Sequence, residues 1–258
     1  MAGKKEKHTI VTYGDSMAKE KRLKKGQEAF KVYKEVFDRS TLLTLYALIT
    51  QGHIDEVNGT ISTGKEANVF HGCDQEKNEI AIKIYRIATA DFRTKWSYIA
   101  SDPRYDHVPK NSRKVVFLWA QREFSTLKTL SGKINIPRPR AVHKNVVVMD
   151  FLGEHGLPYP SLKNTGPLDA EEDFYTVLNA VKIMYGEGLV HADLSEYNIL
   201  VHDTLYFIDF AQATVLEDPR ARELLKRDVD NIHRYFTRYC DIPSPEEILK
   251  EVVEWKNS

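Results

Sequence analysis

His191-Ala-Asp193-Leu-Ser-Glu-Tyr-Asn198 sets a carboxylate and a carboxamide five residues apart, and Ile208-Asp209-Phe210 adds a second carboxylate eleven residues further on. These residue types can carry out phosphoryl transfer. Asp193 is placed to accept the proton of an attacking hydroxyl, or to hydrogen-bond it. Asn198 and Asp209 supply hard oxygen ligands for a metal ion that neutralises phosphate charge as it moves to a leaving group. Each of the three alone would pass for a turn residue. Their order and context make the chemistry.

The flanks must hold that loop. Leu189-Val190 leads in, Ile199-Leu200-Val201 leads out, His202-Asp203-Thr204 turns, and Leu205 to Ile208 returns, which predicts a short apolar hairpin before Asp209. A second signature lies upstream, where residues 59–70 read Gly-Thr-Ile-Ser-Thr-Gly-Lys-Glu-Ala-Asn-Val-Phe. Gly59 to Lys65 satisfies G-x-x-x-x-G-K, but Glu66 cannot supply the hydroxyl that a P-loop gives to magnesium. Ala67-Asn68-Val69-Phe70 also reads as a strand, not a helix opening. The segment is therefore expected to be a phosphate-covering turn between strands, with Ser62, Gly64 and Lys65 nearest the phosphates and Glu66 beside them.

Ile80-Ala81-Ile82-Lys83-Ile84-Tyr85 alternates as a strand and fits the V-A-I-K pattern, whose lysine reaches the α/β-phosphates. A helix over 114–130 places Val116, Ala120, Glu123, Leu127 and Leu130 on one face. Glu123 is then a carboxylate within an apolar stripe. It needs a buried cation, and Lys83 is the candidate. Val146-Val147-Val148-Met149 reads as the strand before a hinge. Met149 would guard the back of an adenine site, and backbone at Asp150 and Leu152 would hydrogen-bond the base.

Composition sets the frame. The 258 residues can bury a sizeable core, and Lys+Arg and Asp+Glu balance at 37 each, so no global charge announces a nucleic-acid partner. Cys73 and Cys240 are unmotivated as a pair. No apolar run approaches membrane-spanning length, and the start lacks a signal-peptide core, so a soluble cytoplasmic protein is expected. Residues 1–53 are expected to form a basic segment with accessory helices. Lys19, Lys21, Arg22, Lys24 and Lys25 form its densest run, Phe30, Tyr33 and Phe37 mark a helix over 27–37, and a second helix is expected from an N-cap at Ser40 to Gly52.

Residues 54–149 would form an N-terminal lobe and 150–258 a trimmed C-terminal one. Residues 87–113 interrupt the first as a long, flexible insertion in which basic residues alternate with aromatics, a pattern suited to RNA or ribosomal protein. Ser97, Ser101 and Ser112 within it are candidate phospho-acceptors. Helices are expected after the capping box Asp169–Glu172, ending around Gly186 and Gly188, from Pro219 through Phe236, and from Ser244-Pro245.

The catalytic-loop pattern of kinases is H-R-D-x-x-x-x-N, followed by D-F-G; here Ala192 and Ala211 stand in place of Arg and Gly. No A-P-E follows, and the 49 residues after Asp209 leave no room for an activation segment with peptide-docking helices. Ser62-Thr-Gly-Lys-Glu-Ala-Asn-Val-Phe70, taken with Leu189-Val-His-Ala-Asp-Leu-Ser-Glu-Tyr-Asn-Ile-Leu200, resembles the RIO family of atypical serine/threonine protein kinases, and within it the first subfamily. The resemblance spans roughly residues 40–240.

That resemblance implies an α+β, two-lobed, protein-kinase-like fold with a trimmed C-lobe, binding ATP and Mg2+ (with Mn2+ as an alternative ion). It implies autophosphorylation on serine and a role in maturing the small ribosomal subunit (pre-40S or 30S type), with rRNA or ribosomal proteins as partners of a monomer. It also implies a second mode, in which Asp209 becomes transiently phosphorylated and the protein works as an ATPase switch. Phe210-Ala211 departs from many members while leaving the carboxylate in place. The short C-terminus is expected of an archaeal member. A small-molecule kinase shares H-x-D-x-x-x-x-N and I-D-F, but Ser62 to Phe70 and the lack of space for a substrate subdomain argue against it.

Overall fold

Alternation along two strands decides the architecture. In the computed structural model, which describes residues 37–87, 92–105 and 107–255, β1 (Glu56–Thr63), β2 (Ala67–Cys73), β3 (Glu79–Tyr85), β4 (Pro139–His143) and β5 (Val146–Asp150) form one antiparallel sheet in the order β1-β2-β3-β5-β4. Ile80, Ile82 and Ile84 of β3 and Val146 and Val148 of β5 face one apolar cluster, shared with Leu45 and Leu48. The intervening Ala81, Tyr85, Val147 and Met149 face the other, larger cluster. A two-residue period thus gives the sheet two faces, one roofed by a helix and one turned to the rest of the molecule.

The roofing helix is α1 (Arg39–Thr50). Its N-cap is Asp38, whose carboxylate accepts from the Ser40 and Thr41 N–H groups at 2.9 and 3.3 Å, so the expected cap at Ser40 is corrected by two residues. Leu42, Leu45 and Leu48 are buried, while Tyr46 and Ile49 sit at the margin. The basic run and the helix proposed over 27–37 lie outside the described residues, except for Phe37, which packs edge-on against Phe70 at 5.2 Å.

The insertion differs from expectation. It contains α2 (Phe92–Ala100), and Ile99 and Asp102 are fully buried. The aromatics turn inward: Tyr98 meets Trp119 edge-on at 6.0 Å, and Arg220 lies 4.2 Å over its ring. The described part is therefore a packed element, because its apolar residues find partners on α3 (Ser112–Leu130). Asn111 caps α3, accepting from Arg113 and Lys114 N–H.

After β5 come the small ribbon β6 (Gly153–Glu154)–β7 (Leu157–Pro158), the turn α4 (Leu162–Thr165) and α5 (Ala170–Gly186). Asp169 caps α5 as its sequence predicts, and Phe174, Val177, Leu178, Val181 and Met184 are buried. Then come β8 (Leu189–Val190) and the expected hairpin of β9 (Ile199–Val201) and β10 (Leu205–Phe207). After a 3-10 turn (Phe210–Gln212), β11 (Thr214–Val215) returns at once to pair with β8. Only residues 210–220 separate Asp209 from α6 (Ala221–Phe236), so no activation segment intervenes. The last element, α7 (Pro245–Trp255), opens on a capping box between Ser244 and Glu247.

Candidate active site

Lys83 sits mid-strand, paired with Val69 on one side and Val147 on the other, and its side chain is 9% exposed. Its ammonium donates to Glu123 Oε1 at 2.6 Å and to Asp209 Oδ1 at 2.8 Å. The Tyr85 hydroxyl, two residues along the same face, donates to the other Glu123 oxygen. Burial opposes the charge on Lys83, yet the fields of Asp209 and Glu123 hold its pKa above the ordinary lysine value. Burial pushes Glu123 up, against the pull of Lys83. The sheet, α3 and the hairpin are thus tied at one nitrogen.

The loop carrying Asp193 is fixed from α6. Asp228, 1% exposed, accepts from Ala192 N–H at 2.7 Å and Leu194 N–H at 2.9 Å. Arg227 donates to the Ala192 carbonyl, and Asn231 Nδ2 donates to the Leu194 carbonyl at 3.1 Å. Ala192 needs this clamp because it holds φ at 64°, a left-handed conformation unusual for a non-glycine residue. It is fully buried where the kinase pattern carries Arg. Neutral His191 hydrogen-bonds the Ile208 carbonyl at 3.2 Å and packs on Phe210; burial depresses its pKa to about 4.

Asp209 also lies in the left-handed region, at φ 65°, with its side chain 44% exposed. Burial acts to raise its pKa, but the charge and hydrogen bond of Lys83 prevail and hold the carboxyl below the usual range. Asp193 moves the other way, raised by burial and then by the Asp209 charge. The two carboxyls that face the cleft thus shift in opposite directions. Asn198 donates from Nδ2 to the Asp193 carbonyl at 2.8 Å and lines the same cleft as Asp209. An ionised carboxylate and an amide oxygen fit magnesium, which takes few protein ligands and completes its shell with phosphates and water.

The cleft holds about 620 Å³ and is walled by Ile61, Val69, Ala81, Leu127, Met149, Leu152, Asn198 and Asp209, with Ser62, Lys83, Glu123 and Asp150 also on its lining. Met149, 7% exposed, faces it from β5. The Asp150 side chain turns to Arg138 and Arg140, leaving backbone as its contribution to a bound base. An adjoining chamber of about 310 Å³ joins Ser62, Gly64, Lys65 and Glu66 to Lys83, Asp193 and Asp209. The turn above it closes through Gly64 N–H to the Ala67 carbonyl at 2.9 Å, and a Cβ on Gly64 would come within 3.0 Å of that oxygen. Glu66 is close enough for its charge to raise Asp193 further.

The three serines part company. Ser97 and Ser112 are exposed, whereas Ser101 Oγ is engaged with Asp218 at 3.1 Å and with Arg220. Sequence reasoning missed Tyr85, Arg122, Gln212, Arg227 and Asp228. Tyr85 was legible, since it shares a strand face with Lys83. The others act across long sequence separations and carry no local pattern.

The RIO domain matches residues 68–247. The RIO-type serine/threonine-protein kinase Rio1 of Methanocaldococcus jannaschii is 45% identical over 82% of this chain and 73% of its own length. That of Haloferax volcanii is 38% identical over 83% and 74%. The human serine/threonine-protein kinase RIO1 is 37% identical over 80% of this chain and 37% of its own. The fold is also that of the Rio2 kinase from Chaetomium thermophilum in its ADP/Mg2+-phosphoaspartate complex, with a TM-score of 0.64 at 21% identity over 81% of this chain and 65% of that one. With the ion-paired lysine, the clamped catalytic loop and the missing activation segment, these matches show that the chain belongs to the first subfamily of the RIO family of atypical serine/threonine protein kinases.

Proposed function

We propose that the chain binds ATP with Mg2+ in this cleft and transfers the γ-phosphoryl group to a serine hydroxyl, on itself in the first instance. The observation that carries this is the single ammonium of Lys83, held at 2.6 Å from Glu123 and 2.8 Å from Asp209 across the cleft. Backbone at Asp150 and Leu152 would hold adenine, and the Ser62–Glu66 turn would cover the phosphates. Lys83 would fix the α/β-phosphates, and Asp193 would take the proton of the incoming hydroxyl. The metal ion, held by Asn198 and Asp209, would neutralise charge on the phosphates. Ser97 and Ser112 are the exposed acceptors in the insertion.

A second reading is an ATPase switch. Its support is the phosphoaspartate in the Rio2 complex and the exposure of Asp209 to the phosphate chamber. An Asp209 oxygen would attack the γ-phosphorus as the bond to ADP breaks. Water would then cleave the acyl phosphate, releasing phosphate and restoring Asp209. Family membership supports a maturing small ribosomal subunit as the partner and the cytoplasm as the place; no described helix is long and apolar enough to cross a membrane.

The test is the fate of label from γ-labelled ATP under single and multiple turnover. Acid-stable label on serine with little free phosphate is the result expected of the kinase. Steady phosphate release, with hydroxylamine-labile label that Asp209→Asn prevents, would replace it with the switch.

A further inference from the structure

Asp193 has one rotatable carboxylate and two oxygens, and only one of them can meet the hydroxyl. The nearest side-chain donor to the other is Gln212, whose Nε2 lies 3.2 Å from Asp193 Oδ2. Asn198 Nδ2 is 3.5 Å from the same oxygen, with its better bond at the Asp193 carbonyl, 2.8 Å away. The Gln212 amide has one sensible orientation, because turning it over would set its oxygen against a carboxylate oxygen.

We propose that Gln212 is a positioning residue for phosphoryl transfer: it holds Asp193 Oδ2 so that the remaining oxygen is presented to the incoming hydroxyl. This rests on the reading of Asp193 as proton acceptor.

The placement of Gln212 is built in. It ends the one-turn 3-10 helix that begins after Asp209, and it lines the phosphate chamber with Lys65 and Asp209. Its backbone is gripped by Arg122, fully buried, which donates from Nη2 to the Gln212 carbonyl at 3.2 Å and from Nε to the Ala213 carbonyl at 2.8 Å. Arg122 also donates to the Tyr98 carbonyl at 3.2 Å and lies 3.4 Å from Asp102, which tethers it to the insertion. The next residue on α3 is Glu123. One turn of helix therefore sets both the lysine that meets the phosphates and the amide that meets the base. Holding a reacting group within a fraction of an ångström is worth large rate factors, which gives such a brace its use.

The experiment compares Gln212→Ala and Gln212→Met with the wild type and with Asp193→Asn, all as full chains, following label transfer from ATP with Mg2+ and the melting temperature. Gln212→Met keeps length and shape but carries no donor. Both Gln212 variants should lose about tenfold to a hundredfold in kcat, with KM for ATP within about twofold and melting unchanged. The inference is overturned if Gln212→Met keeps wild-type kcat, which would leave Gln212 a packing role, or if only KM rises. Should Asp193→Asn keep full turnover, the reading of Asp193 falls with it. Should Asp193→Asn be inactive while both Gln212 variants remain active, this inference alone fails.

Discussion

A lysine held between two carboxylates, one buried and one facing a cleft, is an arrangement that neither side chain would adopt alone. Glu123 is 1% exposed, and stripping one partner from a buried ion pair leaves an uncompensated charge. Lys83→Met should therefore destabilise the fold by about 3 kcal/mol, read as a lower urea midpoint. Glu123→Gln keeps one oxygen for Lys83 and turns an NH2 toward the Tyr85 hydroxyl, which can rotate to accept from it, and should cost less; the reverse ranking would contradict the assignment. Asp193, Asn198 and Asp209 were legible because their spacing and flanks are local. Glu123 was legible because a carboxylate interrupts an apolar helical stripe. Tyr85 needed only the strand period, whereas Asp228 looks like any polar residue on an amphipathic helix until the catalytic loop is folded against it.

Elements carry the next layer. The tie between α6 and the catalytic loop runs through Asp228, whose pKa burial raises to about 7 despite two backbone donors. Between the ordinary carboxylate range and that value, the folded chain binds more protons at this site than the unfolded one. Its contribution to stability therefore falls as pH rises from about 4 to 7 and is level above. His191, depressed to about 4, works in the opposite direction, adding stability as pH rises from about 4 to 6.5. Asp228→Asn removes the first slope alone, so its stability should climb more steeply than the wild type's across this range; parallel denaturation curves at each pH would refute the linkage.

The insertion is held in the same manner, by Arg122 and by the cluster of Ser101, Asp218 and Arg220. Arg122→Met should cost about 3 kcal/mol or more and speed amide exchange over 97–105. Unchanged exchange there would mean that the clasp holds nothing. This stretch reads as a loop in sequence because the residues that pin it, Arg122 and Arg220, lie 24 and 122 positions from the Tyr98 carbonyl they bind. The Ser40 cap was misplaced for a simpler reason: Asp38 and Ser40 are both good caps, and only the carboxylate reaches both N–H groups.

At the scale of the whole molecule, a five-stranded sheet and a helical lobe meet at the cleft, and the chain goes directly from Asp209 through a 3-10 turn into β11 and α6. The two-lobed fold was readable from its motifs. The long-range clamps that brace the cleft were not, since pattern and period register only neighbours. We propose that Lys83, Asp193 and Asp209 form a preorganised phosphotransferase site in which binding and chemistry are carried by different groups.

The most direct measurement is of Asp193→Asn, comparing its affinity for ATP with Mg2+ by calorimetry with its turnover. Affinity within about twofold of wild type, with turnover reduced by about a hundredfold or more, is the predicted result. Full turnover in that variant would contradict the account.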